Sequence, residues 1–275
     1  MPLHPVLRLV RWANLLIAAA GVLAGGWIAL RAIQLPAALG LAALSAMAIG
    51  AVGNTWNDIR DVGADRVNRP GARPLAAGQV RRGSADLIVF DGSLFALVLA
   101  GVVGGWQILV AAAALGVMFA YSPLLKPRPL VGNLTVAVLA GSPPFFGALA
   151  VGRPAAGVVP WILAAWLHLV REVVKDVEDE PGDRTIGRRT LPIVAGPRRA
   201  RVGAAAAALL FVPASVLLPW SAGYGAAYFV IALMAQMAVL IAATWLVLGT
   251  VQRVSIVLKG AMVIGLVALV AGKVT

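Results

Sequence analysis

Long apolar stretches, each separated from the next by a short polar segment, follow one another along the whole chain. Each is about 20 residues long, the length that a helix needs to cross the hydrocarbon core of a bilayer. The short alternating segments of a membrane β-barrel are not visible in the sequence. We therefore predict an all-α, polytopic membrane protein with nine transmembrane helices, at residues 12–31, 35–57, 84–102, 105–122, 130–151, 154–178, 200–219, 223–249 and 256–273.

The distribution of basic residues predicts which side of the membrane each connecting segment occupies. With the N-terminus inside, the inner segments carry 20 of the 23 Lys and Arg residues, and the outside keeps only Arg31, Arg153 and Lys273. The positive-inside rule then places the N-terminus in the cytoplasm. We expect a multi-pass protein of the cell membrane whose active site faces the cytoplasm.

Composition supports the membrane assignment and limits the chemical class of the ligand. Hydrophobic residues make up 61% of the chain and charged residues 12%, with a mean hydropathy of +0.91, which excludes an ordinary soluble domain. The net charge of +12 belongs mainly to inner loops and favours an anionic ligand or contact with anionic lipid headgroups. The first apolar run is longer than the core of a signal peptide, so we interpret it as a retained helix. No linker divides the chain, and we expect one membrane-embedded domain over residues 1–275.

Nine of the eleven acidic residues fall into two clusters at the ends of apolar stretches, where a carboxylate is costly and marks a candidate functional site. In the first cluster, Asn57, Asp61 and Asp65 are spaced by four residues and share one face of a helix. Their oxygens suit Mg²⁺, which takes one or two carboxylates together with substrate phosphates. Asp58, about 100° away around the helix, is a secondary metal candidate. Asn54 is a further polar group at the membrane boundary.

Arginines follow the first cluster at once, and we assign Arg69 and Arg73 to contacts with a phosphate group. The guanidinium group pairs with phosphate oxygens bidentately, which a site for metal alone would not need. The alternative is a solvated helix end with weak Asp–Arg pairs. The segment 68–78 is rich in turn-forming residues and is long enough to be a lid that excludes water.

The second acidic cluster consists of Glu172, Asp176, Glu178, Asp179, Glu180 and Asp183. The i, i+3, i+7 spacing of Asp176, Asp179 and Asp183 again predicts one helical stripe. Arg171 and Lys175 occupy the neighbouring stripe, where they could bind phosphate oxygens or pair with the acidic residues. Because a Pro-Gly pair precedes Asp183, we expect the helix to end or bend there, and the sequence leaves open whether Asp183 lies on the helix or in a loop.

Other polar residues near the two clusters carry weaker signals. Lys126 and Arg128, in the inner segment between the clusters, could complete an anion site. His168 is more often a packed core residue than a catalyst. Asn14 and Asn133 could line the site or form packing hydrogen bonds.

Two acidic clusters on one side of the membrane, with basic loops beside them, suit divalent metal ions that hold a diphosphate leaving group. Apolar helices behind the clusters favour a long apolar chain as the rest of the substrate, and an isoprenyl diphosphate fits both requirements. The sequence contains no P-loop, Ser-His-Asp set or His-rich metal motif, which disfavours nucleotide hydrolysis and acyl transfer. An ion-coupled transporter is a remote alternative, since it would favour midplane carboxylates and repeated halves.

Over essentially the whole chain, the sequence resembles the UbiA superfamily of intramembrane prenyltransferases. The family motif NxxxDxxxD matches Asn57, Asp61 and Asp65, and DxxxD matches Asp179 and Asp183. The resemblance implies a nine-helix bundle in which Mg²⁺, as two ions bridging the diphosphate, is bound by these motifs. We assign the catalytic role to Asp61, Asp65, Asp179 and Asp183. The expected metal ligands are Asn57, Asp58, Asp61, Asp65, Asp176, Asp179 and Asp183.

The string from Arg171 to Asp183, followed by Thr190-Leu-Pro192, most closely resembles the archaeal digeranylgeranylglyceryl phosphate synthase branch. This implies geranylgeranyl transfer from an isoprenyl diphosphate to the hydroxyl of geranylgeranylglyceryl phosphate, among membrane lipids and with no nucleic acid. The alternative is an aromatic prenyltransferase of quinone biosynthesis with a 4-hydroxybenzoate-type acceptor. Those members often carry Tyr-x-x-x-Lys, whereas Tyr121 and Lys126 here are one residue further apart. The candidate substrate contacts are Asn54, Arg69, Arg73, Lys126, Arg128, Arg171 and Lys175.

Overall fold

The computed structural model describes residues 4–31, 36–68, 71–185 and 187–274. Within these residues the chain is helical and contains no β-strand. The helices are α1 (Pro5–Val10), α2 (Trp12–Leu30), α3 (Ala37–Asn68), α4 (Arg82–Val103), α5 (Gly105–Ala120), α6 (Val131–Gly141), α7 (Pro143–Ala150), α8 (Val158–Thr185), α9 (Leu191–Ala195), α10 (Pro197–Ser221), α11 (Ala226–Leu248) and α12 (Val254–Ala271). A π-helical turn at Tyr121–Leu125 follows α5, and a 3₁₀ turn at Pro154–Gly157 precedes α8.

In the described ranges, eight helical segments are long and apolar enough to cross a membrane. A ninth span is possible only if α6 and α7, which meet at a bend of 41°, are taken together. The continuous helix expected over 130–151 is thus broken at Ser142. The break has a local cause, because Pro143 and Pro144 lack the N–H groups that would continue α6, whereas proline suits the first turn of a new helix.

Two helices extend beyond their predicted ends and carry the acidic clusters with them. Helix α3 continues from the predicted membrane span to Asn68, so the whole first cluster lies on one helix. Helix α8 continues through Pro181 to Thr185, so Asp183 lies on the helix, an alternative that the sequence had left open. The last turn is held by side chains: Arg184 Nε donates to Glu180 (2.8 Å) and the Thr185 hydroxyl to the Gly182 carbonyl (2.7 Å). These contacts lie in the turn from which Pro181 removes one backbone hydrogen bond.

Helices α2 and α7 cross with their backbones in contact. A Cβ atom added to Gly147 would lie 1.8 Å from the carbonyl oxygen of Val22, and one on Gly25 would lie 1.9 Å from that of Pro144. Membrane helices associate mainly by close packing, so small residues at a crossing allow the approach that stabilises it. No side chain other than hydrogen fits at these two positions without moving a helix.

Buried apolar side chains form two main groups of helices and one smaller cluster. One group joins α8, α10, α11 and α12 with Ile28 of α2, and the other joins α2, α3, α5 and α7 with one residue of α4. In the smaller cluster, Leu75 and Val80 of the loop 71–81 pack against Leu9, Ile59 and Ala85. This loop, which belongs partly to the expected lid, is therefore packed onto α1, α3 and α4.

Candidate active site

A cavity of about 590 Å³ lies between the two groups of helices. Residues of both acidic clusters line it, with α3 contributing Asn57, Asp61 and Asp65 and α8 contributing Asp176, Asp179 and Asp183. The helical spacing of each cluster turns its side chains to the same side, which is why six residues from two distant segments meet at one cavity.

Asp61 lies where the two clusters meet. Its carboxylate, in a residue only 6% exposed, accepts hydrogen bonds from Lys126 and from Arg188. Arg188 also donates to Asp183 over 2.9 Å, so one guanidinium group joins α3 to α8. Burial alone would lower the pKa of Arg188, but the carboxylates of Asp61 and Asp183 outweigh it and raise that pKa. Arg188 therefore stays charged.

Sequence reasoning missed Arg188 as a site residue. It lies beyond the DxxxD motif in a short basic pair with Arg189, outside α8 and outside any helical stripe. Its proximity to the motif was the one available signal. The contact with Asp61, which is 127 residues away in sequence, exists only in the folded chain.

Lys126 reaches the cavity through the π-helical turn. Its backbone N–H donates to the carbonyl oxygen of Tyr121 (2.8 Å), an i to i+5 bond that takes up one residue more than an α-helical turn. Tyr121 and Lys126 both line the cavity, and the ammonium group lies 5.9 Å from the centre of the tyrosine ring. The same ammonium group is 3.5 Å from Asn57 Oδ1. The extra residue between Tyr121 and Lys126 thus does not separate their side chains.

Two further predicted residues are fixed by neighbouring side chains. Asp65 pairs with Arg73 over 3.7 Å, and both line the cavity. Asp176 accepts a hydrogen bond from Asn133 over 2.7 Å, which makes this amide a positioning group. Asn133 lies on α6, so α6 contributes to the site although both sequence motifs lie on other helices, α3 and α8.

Asp58 is separated from the other acidic residues of its cluster. Its carboxylate is 1% exposed, pairs with Arg11 (2.5 Å) and Arg73 (3.7 Å), and is not among the groups that line the cavity. Asn54 does line the cavity, where its amide oxygen accepts from Arg11 over 2.9 Å. Arg11 thus connects α3 to the junction of α1 and α2.

The other basic residues that were predicted to contact the substrate fall into three groups. Arg171 and Lys175 line the cavity and both pair with Glu172, Lys175 at 2.8 Å and Arg171 at 3.4 Å. Arg128 is exposed and lies away from the cavity lining. Arg69 falls outside the described residues.

The donor groups of the cavity fit Mg²⁺ bound together with an anionic substrate. Within the part of the chain that the structure describes, no three acidic or histidine side chains converge into a metal cage. The ligands on offer are Asp and Asn oxygens, and two of the carboxylates are already paired with Lys126 or Arg188. Mg²⁺ usually keeps several waters and takes one or two carboxylates plus substrate phosphates, so it does not require such a cage.

Beyond the polar groups, the cavity has apolar walls from both groups of helices. One wall belongs to α3, α5 and α7 and includes Gly50, Ala111, Met118 and Phe146. The other belongs to α10, α11 and α12 and includes Phe211, Tyr228, Ala232 and Leu269. The cavity therefore offers apolar surface on two sides of one polar region.

Comparison with known proteins gives consistent matches along the chain. The model of the UbiA prenyltransferase family matches residues 18–270. The digeranylgeranylglyceryl phosphate synthase of Thermococcus kodakarensis is 39% identical over 223 residues, which is 78% of each chain. The enzyme of that name from Methanopyrus kandleri is 37% identical over 272 residues, covering 96% of this chain and 97% of its own.

Solved structures match over nearly the full length. A structure concerning digeranylgeranylglyceryl phosphate synthase in membranes has a TM-score of 0.78 at 27% identity and covers 98% of both chains. A UbiA homologue from Archaeoglobus fulgidus, bound to GPP and Mg²⁺, has a TM-score of 0.62 at 18% identity and covers 96% of this chain and 99% of its own. At that identity, the second match shows the fold that the two chains share.

Proposed function

The chain belongs to the UbiA prenyltransferase family, and from this premise we propose that it transfers a geranylgeranyl group from geranylgeranyl diphosphate to the free hydroxyl of geranylgeranylglyceryl phosphate. The observation that carries the proposal is the single cavity in which both acidic clusters meet through Asp61, Arg188 and Asp183. Its polar region suits a diphosphate, and its apolar walls suit isoprenoid chains.

We expect the reaction to use Mg²⁺, with two ions bridging the diphosphate. The residues that would hold them are Asn57, Asp61 and Asp65 on α3 and Asp176, Asp179 and Asp183 on α8. When bound, Mg²⁺ would neutralise charge that develops on the departing diphosphate. Asp58 is less suited to this task, because Arg11 and Arg73 already pair with it away from the cavity lining.

Lys126 and Arg188 would bind and orient the diphosphate. Both side chains pair with a carboxylate of the acidic clusters. A diphosphate bound beside them would offer oxygens that carry more negative charge than a carboxylate does. The guanidinium group can bind two of these oxygens at once. Because Arg188 keeps its charge, it would stabilise the negative charge that grows as the bond between diphosphate and allylic carbon breaks.

The cavity walls and the loop 71–81 would keep water from the allylic carbon until the acceptor hydroxyl attacks it. Leu75 and Val80 anchor the loop in the apolar cluster, and Arg8 donates to the carbonyl oxygens of Gly71 (3.4 Å) and Ala72 (3.2 Å). We place this end of the bundle at the cytoplasmic face, since the inner segments carry most of the basic residues.

The proposed function is tested with purified protein in detergent, Mg²⁺ and labelled geranylgeranyl diphosphate. Geranylgeranylglyceryl phosphate and 4-hydroxybenzoate are offered in separate reactions, and the lipid products are resolved by mass. We expect a doubly prenylated glycerol phosphate. Prenylation of hydroxybenzoate alone would overturn the acceptor and assign the protein to quinone synthesis.

Arg188→Gln should lower kcat/KM for geranylgeranyl diphosphate by about a hundredfold, the scale of losing one charged donor to a leaving group. Arg188→Lys should recover part of this, because the charge returns without the second hydrogen bond. The measurement is steady-state kinetics with the donor varied at a saturating acceptor concentration.

The matched control is Arg189→Gln, the same change at the next residue, whose side chain is exposed. It should leave kcat/KM within a factor of about two, as expected for a surface substitution. Equal losses in the two variants would show that Arg188 acts only through the general charge of this segment.

A further inference from the structure

Lys259 is the only charged residue of α12, an otherwise apolar helix that is long enough to cross a membrane. It lines the cavity and donates to Asn14 Oδ1 over 2.9 Å. Among the residues that the structure describes, no carboxylate lies within ion-pair distance of its ammonium group. An ionisable side chain within a membrane helix is costly and marks a functional site by default. A cation that faces a cavity without a carboxylate beside it points to an anion that comes from outside the protein.

Three more cations lie near Lys259. The charges of Arg11, Arg171 and Lys175 all act on its ammonium group, and all four side chains line the cavity. We call these four residues the α12 basic cluster. They come from the junction of α1 and α2, from α8 and from α12, so the fold, rather than any sequence motif, brings them together.

The α12 basic cluster carries more charge than its own partners neutralise. Glu172 pairs with Lys175 and Arg171, and Asp58 pairs with Arg11. These contacts set two negative charges against four positive ones, so the cluster keeps an excess of two positive charges. A phosphomonoester carries about −1.5 to −2 at neutral pH and would match this excess.

Arg11 is held in a strained conformation. Its φ of 57° and ψ of 53° lie in the left-handed region, where a residue other than glycine is unfavourable. This conformation ends α1, where the backbone N–H of Arg11 bonds to the carbonyl oxygens of Arg8 and Leu7, and turns the chain into α2. Here Asn54 and Asp58 fix the guanidinium group, which lines the cavity beside α8.

The cluster differs from the groups assigned to the diphosphate. Lys126 and Arg188 pair with the carboxylates of the acidic motifs, whereas the α12 basic cluster pairs with Asn14, Asn54, Asp58 and Glu172. The apolar wall contributed by α10, α11 and α12 adjoins the cluster through α12 itself. An isoprenoid chain attached to an anion bound here could lie along that wall.

We propose that the α12 basic cluster is a second anion site, which binds the phosphate group of the acceptor lipid. This inference rests on the proposed function. The diphosphate and its chain would lie at the acidic clusters and along the wall of α3, α5 and α7. The acceptor would lie along the other wall, with its free hydroxyl between the two headgroups.

The test is Lys259→Met, which removes the charge and keeps the length of the side chain. We expect KM for geranylgeranylglyceryl phosphate to rise ten- to a hundredfold, the scale of one lost hydrogen bond to a charged group. KM for geranylgeranyl diphosphate should change less than about twofold, since that substrate is held elsewhere. The preference for geranylgeranylglyceryl phosphate over unphosphorylated geranylgeranylglycerol should fall by the same factor, and Lys259→Arg should restore it.

Arg253→Met is the matched control, because Arg253 precedes the same helix, is exposed and lies outside the cavity lining. It should leave both KM values unchanged. An equal rise of both KM values in Lys259→Met would assign Lys259 to the diphosphate site and overturn the proposal. An unchanged acceptor preference would overturn it as well.

Equilibrium binding of geranylgeranylglyceryl phosphate without the donor separates this inference from the proposed function. Wild-type protein should bind this lipid ten- to a hundredfold more tightly than Lys259→Met, even if no prenylated product forms in the transfer assay. Phosphatidic acid, which offers the same phosphomonoester on different chains, should compete weakly. Equal competition by phosphatidic acid would identify the occupant as a bilayer lipid and overturn the acceptor assignment.

Discussion

Asp61→Asn should reduce prenyl transfer by about a thousandfold, while the protein remains folded in detergent. Both Lys126 and Arg188 contact the carboxylate of Asp61, which belongs to the expected metal ligands. Asparagine keeps the shape of the side chain but removes the charge that a metal ion and both cations require. Activity is measured with saturating donor and acceptor, and the fold is followed by size-exclusion chromatography and thermal unfolding.

The stability cost of Asp61→Asn should stay below the ~3–5 kcal/mol typical of breaking a buried ion pair. Lys126 and Arg188 are 19% and 22% exposed, and Arg188 keeps Asp183 as a partner. Asp86→Asn is the control, because Asp86 forms an exposed pair with Arg82 on α4 and should have little effect on activity or stability. Near-normal transfer by Asp61→Asn would remove Asp61 from the catalytic site.

Removal of divalent metal should abolish transfer, and added Mg²⁺ should restore it. The described residues offer no three-carboxylate cage, and Lys126 and Arg188 already pair with motif carboxylates. Mg²⁺ alone should therefore bind weakly, and it should bind much more tightly when a diphosphate completes its ligands. We expect Mg²⁺ alone to raise the unfolding temperature little, and Mg²⁺ with inorganic diphosphate to raise it clearly.

The experiment compares activity in excess chelator with activity after Mg²⁺ is restored, together with thermal unfolding for each addition. Diphosphate without metal is the control for simple anion binding. Full turnover in excess chelator would exclude the metal mechanism. A large stabilisation by Mg²⁺ alone would mean that the protein provides a complete metal cage without substrate.

Hydropathy and two spaced motifs were sufficient to predict the membrane bundle, the family and the meeting of both acidic clusters at one cavity. The family match confirms the resemblance. These features depend on local periodicity, and the side chains of Asn57, Asp61 and Asp65 share one face because the helix repeat places them there. Asp58 is adjacent in sequence to Asn57 and yet pairs with Arg11, since one helical step turns it away.

The features that sequence did not predict depend on contacts between distant segments. Arg188 and Lys259 each stand outside any motif, and their positions at the cavity become visible only when α3, α8 and α12 are packed together. Helix α8 continues through Pro181 although the Pro-Gly pair is a strong local signal for its end, and side-chain contacts accompany its last turn. The break at Ser142 was readable in principle from the two prolines that follow, but membrane helices often tolerate proline.

The π-helical turn at Tyr121–Leu125 has an evolutionary consequence. An inserted residue within an α-helix rotates everything beyond it by about 100°, which would carry a binding side chain away from its site. The wider turn confines the extra residue, and Lys126 still faces the same cavity as Tyr121. Length variation at this position is therefore compatible with a cavity that both side chains still line, as Tyr121 and Lys126 do here.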